Sequence, residues 1–320
     1  MTDLYSIPTL DDIKKAQKII EPFAHITPVL KSRKVNERGG CEIFLKCENF
    51  QKVGAFKFRG ACNAIFTLPE EEAVKGVATH SSGNHAQAVA LSAKLRGVPA
   101  YVVMPENAPK VKVKAVKDYG AEVTFCASTL EARESTLKEV VNRTGATFIH
   151  PYNDNRIVCG QGTAALEFMD QVEDLDIIMT PVGGGGLLSG TALSVKHTQP
   201  DIRVIGAEPS LADDAFRSFK EGKLMPVYNT DTIADGLRTS LGDLPFRIIK
   251  KYADDIVTVS EESIIEAMRF IWERMKIIIE PSCAVPVAAV FEKKLDVQGK
   301  KIGIIITGGN VDLDDLPWMK

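Results

Sequence analysis

The stretch DIIMTPVGGGGLLSGTALSVKH (176–197) decides the fold class. A continuous apolar run is broken by four glycines, Gly183–Gly186, and then gives way to a helix-type segment. The order is strand, loop, helix. A run that is apolar throughout, rather than at alternate positions, marks a strand buried on both faces, the habit of parallel sheets. Glycine lets the backbone approach an anion closely, and the helix that follows supplies free N–H groups and a positive dipole end. The loop therefore reads as a phosphate cradle, with a permissive strand–helix turn as the plainer alternative. It is not a dinucleotide fingerprint: Leu188 and Ser189 stand where a GxGxxG counted from Gly183 or Gly184 needs glycine. No GK[ST] follows, which excludes a nucleotide P-loop as well.

Moving outward, RVIGAE (203–208), DIVTVS (255–260) and KIGIIIT (301–307) repeat the buried-strand pattern. Upstream, VATHS, AYVVM, EVTFC and TFIH alternate with helices at Asn84–Arg96, near Lys110–Tyr119, and at Leu130–Arg143. Nearer the amino terminus, Thr9 with Asp12 predicts a capped helix running to Ala24, EIFLK (42–46) a strand, and KFRGACNAIFTL (57–68) an amphipathic helix. This is an α/β chain with mostly parallel strands. At roughly 150 residues per domain, 320 residues suggest two. The expected division is a large domain of 1–70 plus 152–320 and a small one of 76–148. The hinges are expected at 68–76, where LPEEEAVKG is charged and carries a proline, and at 148–152.

Composition narrows the partners. With 39 Lys+Arg against 42 Asp+Glu, a net charge of −3 and no long basic run, a nucleic-acid surface is not expected. The longest apolar stretches, such as CAVPVAAVF (283–291), fall short of the roughly 18 residues of a membrane span. MTDLYSIPTLDD lacks the basic and apolar regions of a secretion signal. Six cysteines (41, 47, 62, 126, 159, 283) are scattered, with no CxxC pair and no histidine at metal-ligand spacing. They read as reduced, mostly buried thiols of a cytoplasmic protein.

Three further segments carry chemistry. Lys57, in GAFKFRGA, opens an otherwise apolar helix between Phe56 and Phe58; it is either a solvated helix-start lysine or an amine whose pKa is depressed for imine chemistry. SSGNHAQA (81–88) follows a strand and opens a helix, which suits a carboxylate, or else Ser82 or Asn84 is a simple N-cap. TGGN (307–310) ends the last buried strand, at the carboxyl edge where open α/β sheets bind ligands.

Together these segments resemble the fold-type II pyridoxal 5′-phosphate (PLP) enzymes, in the serine racemase and serine/threonine dehydratase branch that includes the 3-hydroxyaspartate dehydratases. The resemblance runs over nearly the whole chain: TPVLKSR (27–33), ENFQKVGAFKFRGA (48–61), GQGTAALE (160–167), TIADG (232–236), ERMK (273–276), IEPS (279–282) and GGNVDL (308–313). It implies two open, twisted, mostly parallel α/β domains with the active site in the cleft between them. It assigns Lys57 to the cofactor, Gly183, Gly184, Gly185, Gly186 and Leu187 to its phosphate, Asn84 to its ring hydroxyl, Gly236 to the ring wall and Thr307 to the pyridine nitrogen. Ser82 matches the serine that racemases use on the second face of the substrate, where simple threonine dehydratases tend to have alanine. Ser81, Asn84 and His85 would bind the substrate carboxylate.

The EPSLADD run also matches a racemase-like cation site in which Glu208, Asp214 and the Ala212 carbonyl hold Mg²⁺, Ca²⁺ or Mn²⁺; the plainer alternative is an acidic helix start. Arg133 matches an arginine near the active-site mouth, either for a second substrate carboxylate or for a salt bridge to Glu131 or Glu134. Ala55 and Tyr152 depart from the usual serine and asparagine, and Lys31-Ser-Arg33 matches a nucleotide-activation segment only in part. Lys52, Gln87 and Asn310 are retained, which leaves ATP as an activator open. The implied activity is interconversion of L- and D-serine with elimination to pyruvate and ammonia. The alternative is an L-threonine/L-serine or L-threo-3-hydroxyaspartate dehydratase. A small hydroxy-amino-acid substrate and a homodimer go with both. The chain ends without the long regulatory segment of isoleucine-feedback dehydratases, so a feedback-inhibited role is not expected.

Overall fold

The computed structural model describes residues 5–108 and 110–319, leaving the Val111 side chain aside. Ten strands form two sheets: β1 (Val29–Leu30), β2 (Glu42–Cys47), β3 (Val77–His80), β4 (Ala100–Pro105), β5 (Glu122–Cys126), β6 (Thr147–Phe148), β7 (Ile177–Pro181), β8 (Arg203–Pro209), β9 (Asp255–Val259) and β10 (Lys301–Ile306). The six-stranded sheet has the order β1-β2-β10-β7-β8-β9, parallel except for the short β1. The four-stranded sheet, β5-β4-β3-β6, is parallel throughout.

The continuous apolar runs have a direct cause. In β7, Ile177 and Met179 face one core layer, with helices Glu261–Met275 and Pro281–Phe291, while Ile178 faces the other, with helices Asn155–Gln171 and Gly186–Thr198. In β10, Ile304 and Ile305 divide in the same way. A strand between two helical layers needs an apolar residue at every position.

The helix opened by Thr9 is sealed by a capping box with Asp12, as the sequence predicts, but ends at Ile20 with a turn after it. Segment 68–76 is not a bare loop: it contains the one-turn helix Glu70–Ala73.

Strand order explains where ligands can bind. In the large sheet, β8 and β9 lie on one side of β7 and β10 on the other. In the small sheet, β4 and β5 lie on one side of β3 and β6 on the other. The strand order reverses between such neighbours, and in open α/β sheets a crevice forms there, outside the strands' carboxyl ends. The glycine loop and Thr307–Asn310 leave β7 and β10. Ser81–Gly83 and 149–152 leave β3 and β6.

Candidate active site

Lys57 is placed by its backbone neighbours. Phe56 N donates to the Thr307 carbonyl (2.9 Å), Gly309 N to the Gly54 carbonyl (3.0 Å), and Ala55 bridges Gly308, so the entry to helix Lys57–Phe66 is stitched to the end of β10. Two residues on, Arg59 is 2% exposed and forks onto both Glu48 oxygens (2.7 and 2.8 Å) and onto Glu167 (2.9 Å). Buried Lys46 completes the network on Glu167. Buried ions are tolerated only when fully paired, and this set pins the helix that carries Lys57.

The Lys57 amine donates to the Pro151 carbonyl (3.0 Å) and has no carboxylate partner in ion-pair contact among the described residues. Burial brings its pKa down to about 8, and the charge of Glu280 partly opposes that shift.

The glycine loop is built by close approach. A Cβ on Gly184 would stand 2.2 Å from Tyr152 Cδ1, so the tyrosine ring lies directly beneath the loop. Gly185 has φ +85° and is the uncapped N-cap of helix Gly186–Thr198. Among the described residues the first N–H groups of that helix, Leu187 included, have no side-chain acceptor, an arrangement suited to an anion. The neighbouring turn Asp235–Leu237 is tied down by Gly236 N donating to Ser282 Oγ (3.0 Å).

Across the cleft, helix Asn84–Arg96 also begins without a side-chain cap. Ser81 Oγ accepts from Gly83 N (3.2 Å), and Ser82 is partly exposed. A Cβ on Gly83 would meet nothing within 4 Å, so this turn borders open space. Asn84 does not cap its helix. Its Nδ2 donates to both Glu280 oxygens (3.0 and 3.1 Å), and its Oδ1 accepts from Asn310 Nδ2 (2.9 Å). His85 donates from Nε2 to the Ile149 carbonyl (3.1 Å), and its buried Nδ1 has no partner among the described residues. Burial, then the charge of Lys57, hold its pKa well below the ordinary histidine value. This imidazole brings no positive charge to a carboxylate; what His85 offers is its backbone N–H.

Glu280 was missed as a site residue in the sequence, where it appeared only inside the motif IEPS. It is the N-cap of helix Pro281–Phe291, 5% exposed, and burial pushes its carboxyl up to about 7, with the charge of Asp235 adding to the effect. The available signal was one acid directly before a proline within a long apolar run. His150 was missed too: its Nδ1 accepts from Tyr152 N (3.2 Å) and Asn153 N (2.9 Å), and burial lowers its pKa to about 4.

The geometry can be tested against a PLP-sized group. Lys57 presents an amine without an acid partner, two uncapped helix N-termini frame the cleft, and Thr307, 2% exposed, keeps its hydroxyl free of hydrogen bonds among the described residues. These residues fit the cofactor. The family described as pyridoxal-phosphate dependent enzyme matches residues 20–308. The chain belongs to that family. It is 54% identical over 314 residues to a serine racemase of Dictyostelium discoideum, covering 96% of each chain. To a beta-hydroxyaspartate dehydratase of Paracoccus denitrificans (strain Pd 1222) it is 48% identical, covering 98% of this chain and 99% of that one. The solved structure of maize serine racemase superposes with a TM-score of 0.95 at 46% identity, covering 98% and 97%. The fold is that of the fold-type II PLP enzymes.

Within this PLP-enzyme fold, Arg133 makes no ion pair with Glu131 or Glu134 among the described residues; its Nε donates to the Thr129 carbonyl (3.3 Å), and its charge acts on His80 and Tyr152. Of the predicted cation residues, Glu208 and Asp214 lie close enough for the charge of Asp214 to act on Glu208. Glu208 accepts from Ala215 N (3.1 Å) and Phe216 N (2.8 Å), and Asp214 Oδ2 accepts from Leu241 N (2.8 Å). Asp214 Oδ1 is buried without a partner among the described residues, and burial raises both carboxyls, Glu208 well above the usual range. Two buried carboxylates with an orphaned oxygen suit a hard cation. Among the described residues no group of three or more His, Cys, Asp and Glu side chains that could hold a metal ion is formed. No helix among the described residues is long and apolar enough to cross a membrane.

Proposed function

We propose that this protein is a PLP-dependent serine racemase that also eliminates water from serine, releasing pyruvate and ammonia. The observation that supports this reading is the Lys57 amine, which has no acid in ion-pair contact among the described residues, together with the hydroxyl-bearing turn at Ser82 at the carboxyl end of β3, beside the switch point of the small sheet. The two-domain division at 1–70 plus 152–320 and 76–148 is part of the same reading, supported by the separate sheets.

Bound PLP supplies an electron sink that makes the Cα proton of an attached amino acid removable. Lys57, with its pKa lowered to about 8, is neutral in a larger fraction near neutral pH than an ordinary lysine and takes or returns that proton on its own face. Ser82 serves the opposite face, which inversion requires. Ser81 and the backbone N–H groups of Asn84 and His85 hold the substrate carboxylate, while the Asn84 side chain is held by Glu280 and Asn310 beside the ring hydroxyl. Gly183–Gly186 and Leu187 would hold the phosphate, Gly236 would line the ring, and the neutral Thr307 hydroxyl would meet the ring nitrogen without stabilising a full positive charge there. That weak partner favours proton exchange and loss of a β-hydroxyl over transamination.

Glu208, Asp214 and the Ala212 carbonyl hold Mg²⁺ or a similar cation. Leu241, bonded to Asp214, precedes Gly242, whose N–H donates to the Gly184 carbonyl (3.2 Å), which links this site to the phosphate loop. ATP activation through Lys52, Gln87 and Asn310 belongs to the reading, supported by the Asn310 bonds to Val53 O and Asn84. A homodimer is supported by the neighbouring exposed apolar side chains of Ile26, Phe50 and Ile278. A cytoplasmic location is supported by six buried free cysteines.

The second reading, a 3-hydroxyaspartate dehydratase, is favoured by one observation: among the described residues Arg133 makes no ion pair, and its charge acts on His80 and Tyr152, which leaves it available to a second substrate carboxylate. Chiral product analysis with L-serine, L-threonine and L-threo-3-hydroxyaspartate in parallel tests the two. D-serine from L-serine upholds the first; its absence, with fast loss of ammonia from L-threo-3-hydroxyaspartate, replaces it with the second.

A further inference from the structure

Helix Lys110–Asp118 carries lysines at 110, 112, 114 and 117. Lys114 is 75% exposed, as a solvated surface lysine should be, but the Lys112 side chain is only 16% exposed. Its Nζ stands 2.7 Å from Asp235 Oδ2. Among the described residues this is the only ion pair joining segment 76–148 to 152–320. Asp235 begins the turn Asp235–Leu237, in which Gly236 is bonded to Ser282 and Leu237 Cα lies 3.0 Å from where a Cβ on Gly183 would stand. The lysine therefore reaches from a helix of the small sheet to the wall that supports the glycine loop. The other polar links across the cleft, Asn84 with Glu280 and with Asn310, are more deeply buried. Asp235 is 43% exposed, so its pair lies at the solvent end.

We infer that the Lys112–Asp235 ion pair is the latch that holds the small sheet closed over Lys57 and so controls substrate retention and product release. The inference rests on reading the Lys57 cleft as the active site. Both residues are positioning residues, acting through the separation of the two sheets. A half-exposed pair is made and broken readily in water, which suits a contact that must open in every turnover. Its two charges also act in opposite senses on buried Glu280, Asp235 raising its pKa and Lys112 lowering it, so the state of the latch is felt beside Lys57.

The test combines distance and kinetics on the holoenzyme. Because the six native cysteines are buried, spin labels can be placed on Lys114→Cys and Lys250→Cys, and the inter-label distance distribution compared between the parent and latch variants. Lys112→Met and Asp235→Asn are each expected to move the closed-to-open ratio by about fivefold and to raise KM for L-serine by a similar factor without lowering kcat. The charge-swapped double variant, Lys112→Asp with Asp235→Lys, is expected to restore both. In the parent, KM should rise between about 0.05 M and about 1 M salt, and in Asp235→Asn it should not. Unchanged distances in the single variants, or a salt response identical in the parent and Asp235→Asn, would overturn the latch. A parent enzyme that turns over none of the hydroxy-amino acids would instead remove the functional reading and leave the distance measurement to decide the latch.

Discussion

Asn84 Nδ2 lies 3.0 and 3.1 Å from the two carboxylate oxygens of Glu280, a contact between the helix that follows β3 in one sheet and the helix N-cap beside the end of β10 in the other. It sets a buried acid with a pKa of about 7 opposite an amine at about 8. Replacing Glu280 by Gln removes the negative charge and keeps one acceptor. Since that charge raises the Lys57 pKa, its loss should move the Lys57 titration below about 8. Reductive methylation of Lys57 in cofactor-free protein, followed by mass spectrometry across pH, measures this. An unchanged or higher midpoint would contradict the coupling.

Lys57→Ala should abolish both racemisation and elimination, a loss of at least about 10³-fold, because one group anchors the cofactor and serves as the base. Folding should survive, since among the described residues the amine's only hydrogen bond is to a backbone carbonyl. Retained turnover of L-serine in a correctly folded variant would remove Lys57 from its role.

Ser82→Ala separates the two reactions. Elimination from L-serine uses the Lys57 face alone, whereas inversion needs a proton from the other face. D-serine formation should fall by about 10²-fold while pyruvate formation continues. D-serine should also become a poor elimination substrate. Chiral chromatography and a coupled pyruvate assay on one sample decide it; equal losses of both products would reduce Ser82 to shaping the turn.

Removing the cation should loosen the glycine loop through Leu241 and Gly242. Chelated protein is expected to melt several degrees lower than cation-loaded protein and to bind PLP more weakly. Asp214→Asn should show the lower melting temperature without chelator. Identical melting curves for stripped and loaded protein would argue against the site.

His150 gives a pH signature. Its folded pKa of about 4 lies below the unfolded value of 6.5, so the folded protein excludes a proton that the unfolded chain accepts. The stability tied to the neutral ring is complete above pH 6.5 and is lost as pH falls towards 4, on the order of 2 kcal/mol after allowing for partial exposure. Denaturant unfolding between these pH values should show a steeper decline in the parent than in His150→Gln, whose side chain can accept the same backbone N–H groups. Parallel declines would mean other histidines carry the effect.

Much of this was written locally in the chain. Thr9 and Asp12 announce their cap because the bonds close within one turn. The glycine run declares itself because the close approach of Tyr152 and the φ of +85° at Gly185 exclude other residues. Glu280 was less legible. Its importance comes from Asn84, 196 positions away, and from burial produced by two segments that meet only in the folded chain. His85 was legible as a site position but not in its manner of acting, since Nε2 is committed to Ile149 of a distant strand end.

The sequence by itself determined the alternation of strands and helices, the two glycine-rich strand ends and the lysine that opens its helix, because hydrophobic periodicity and backbone conformation are properties of near neighbours. Only the tertiary structure decided that Lys57 faces a carbonyl rather than an acid, that Asn84 belongs to Glu280, and that Lys112 rather than Lys114 reaches Asp235. Desolvation and charge pairing depend on which distant segments the strand order brings to the same crevice, and no spacing along the chain encodes that distance.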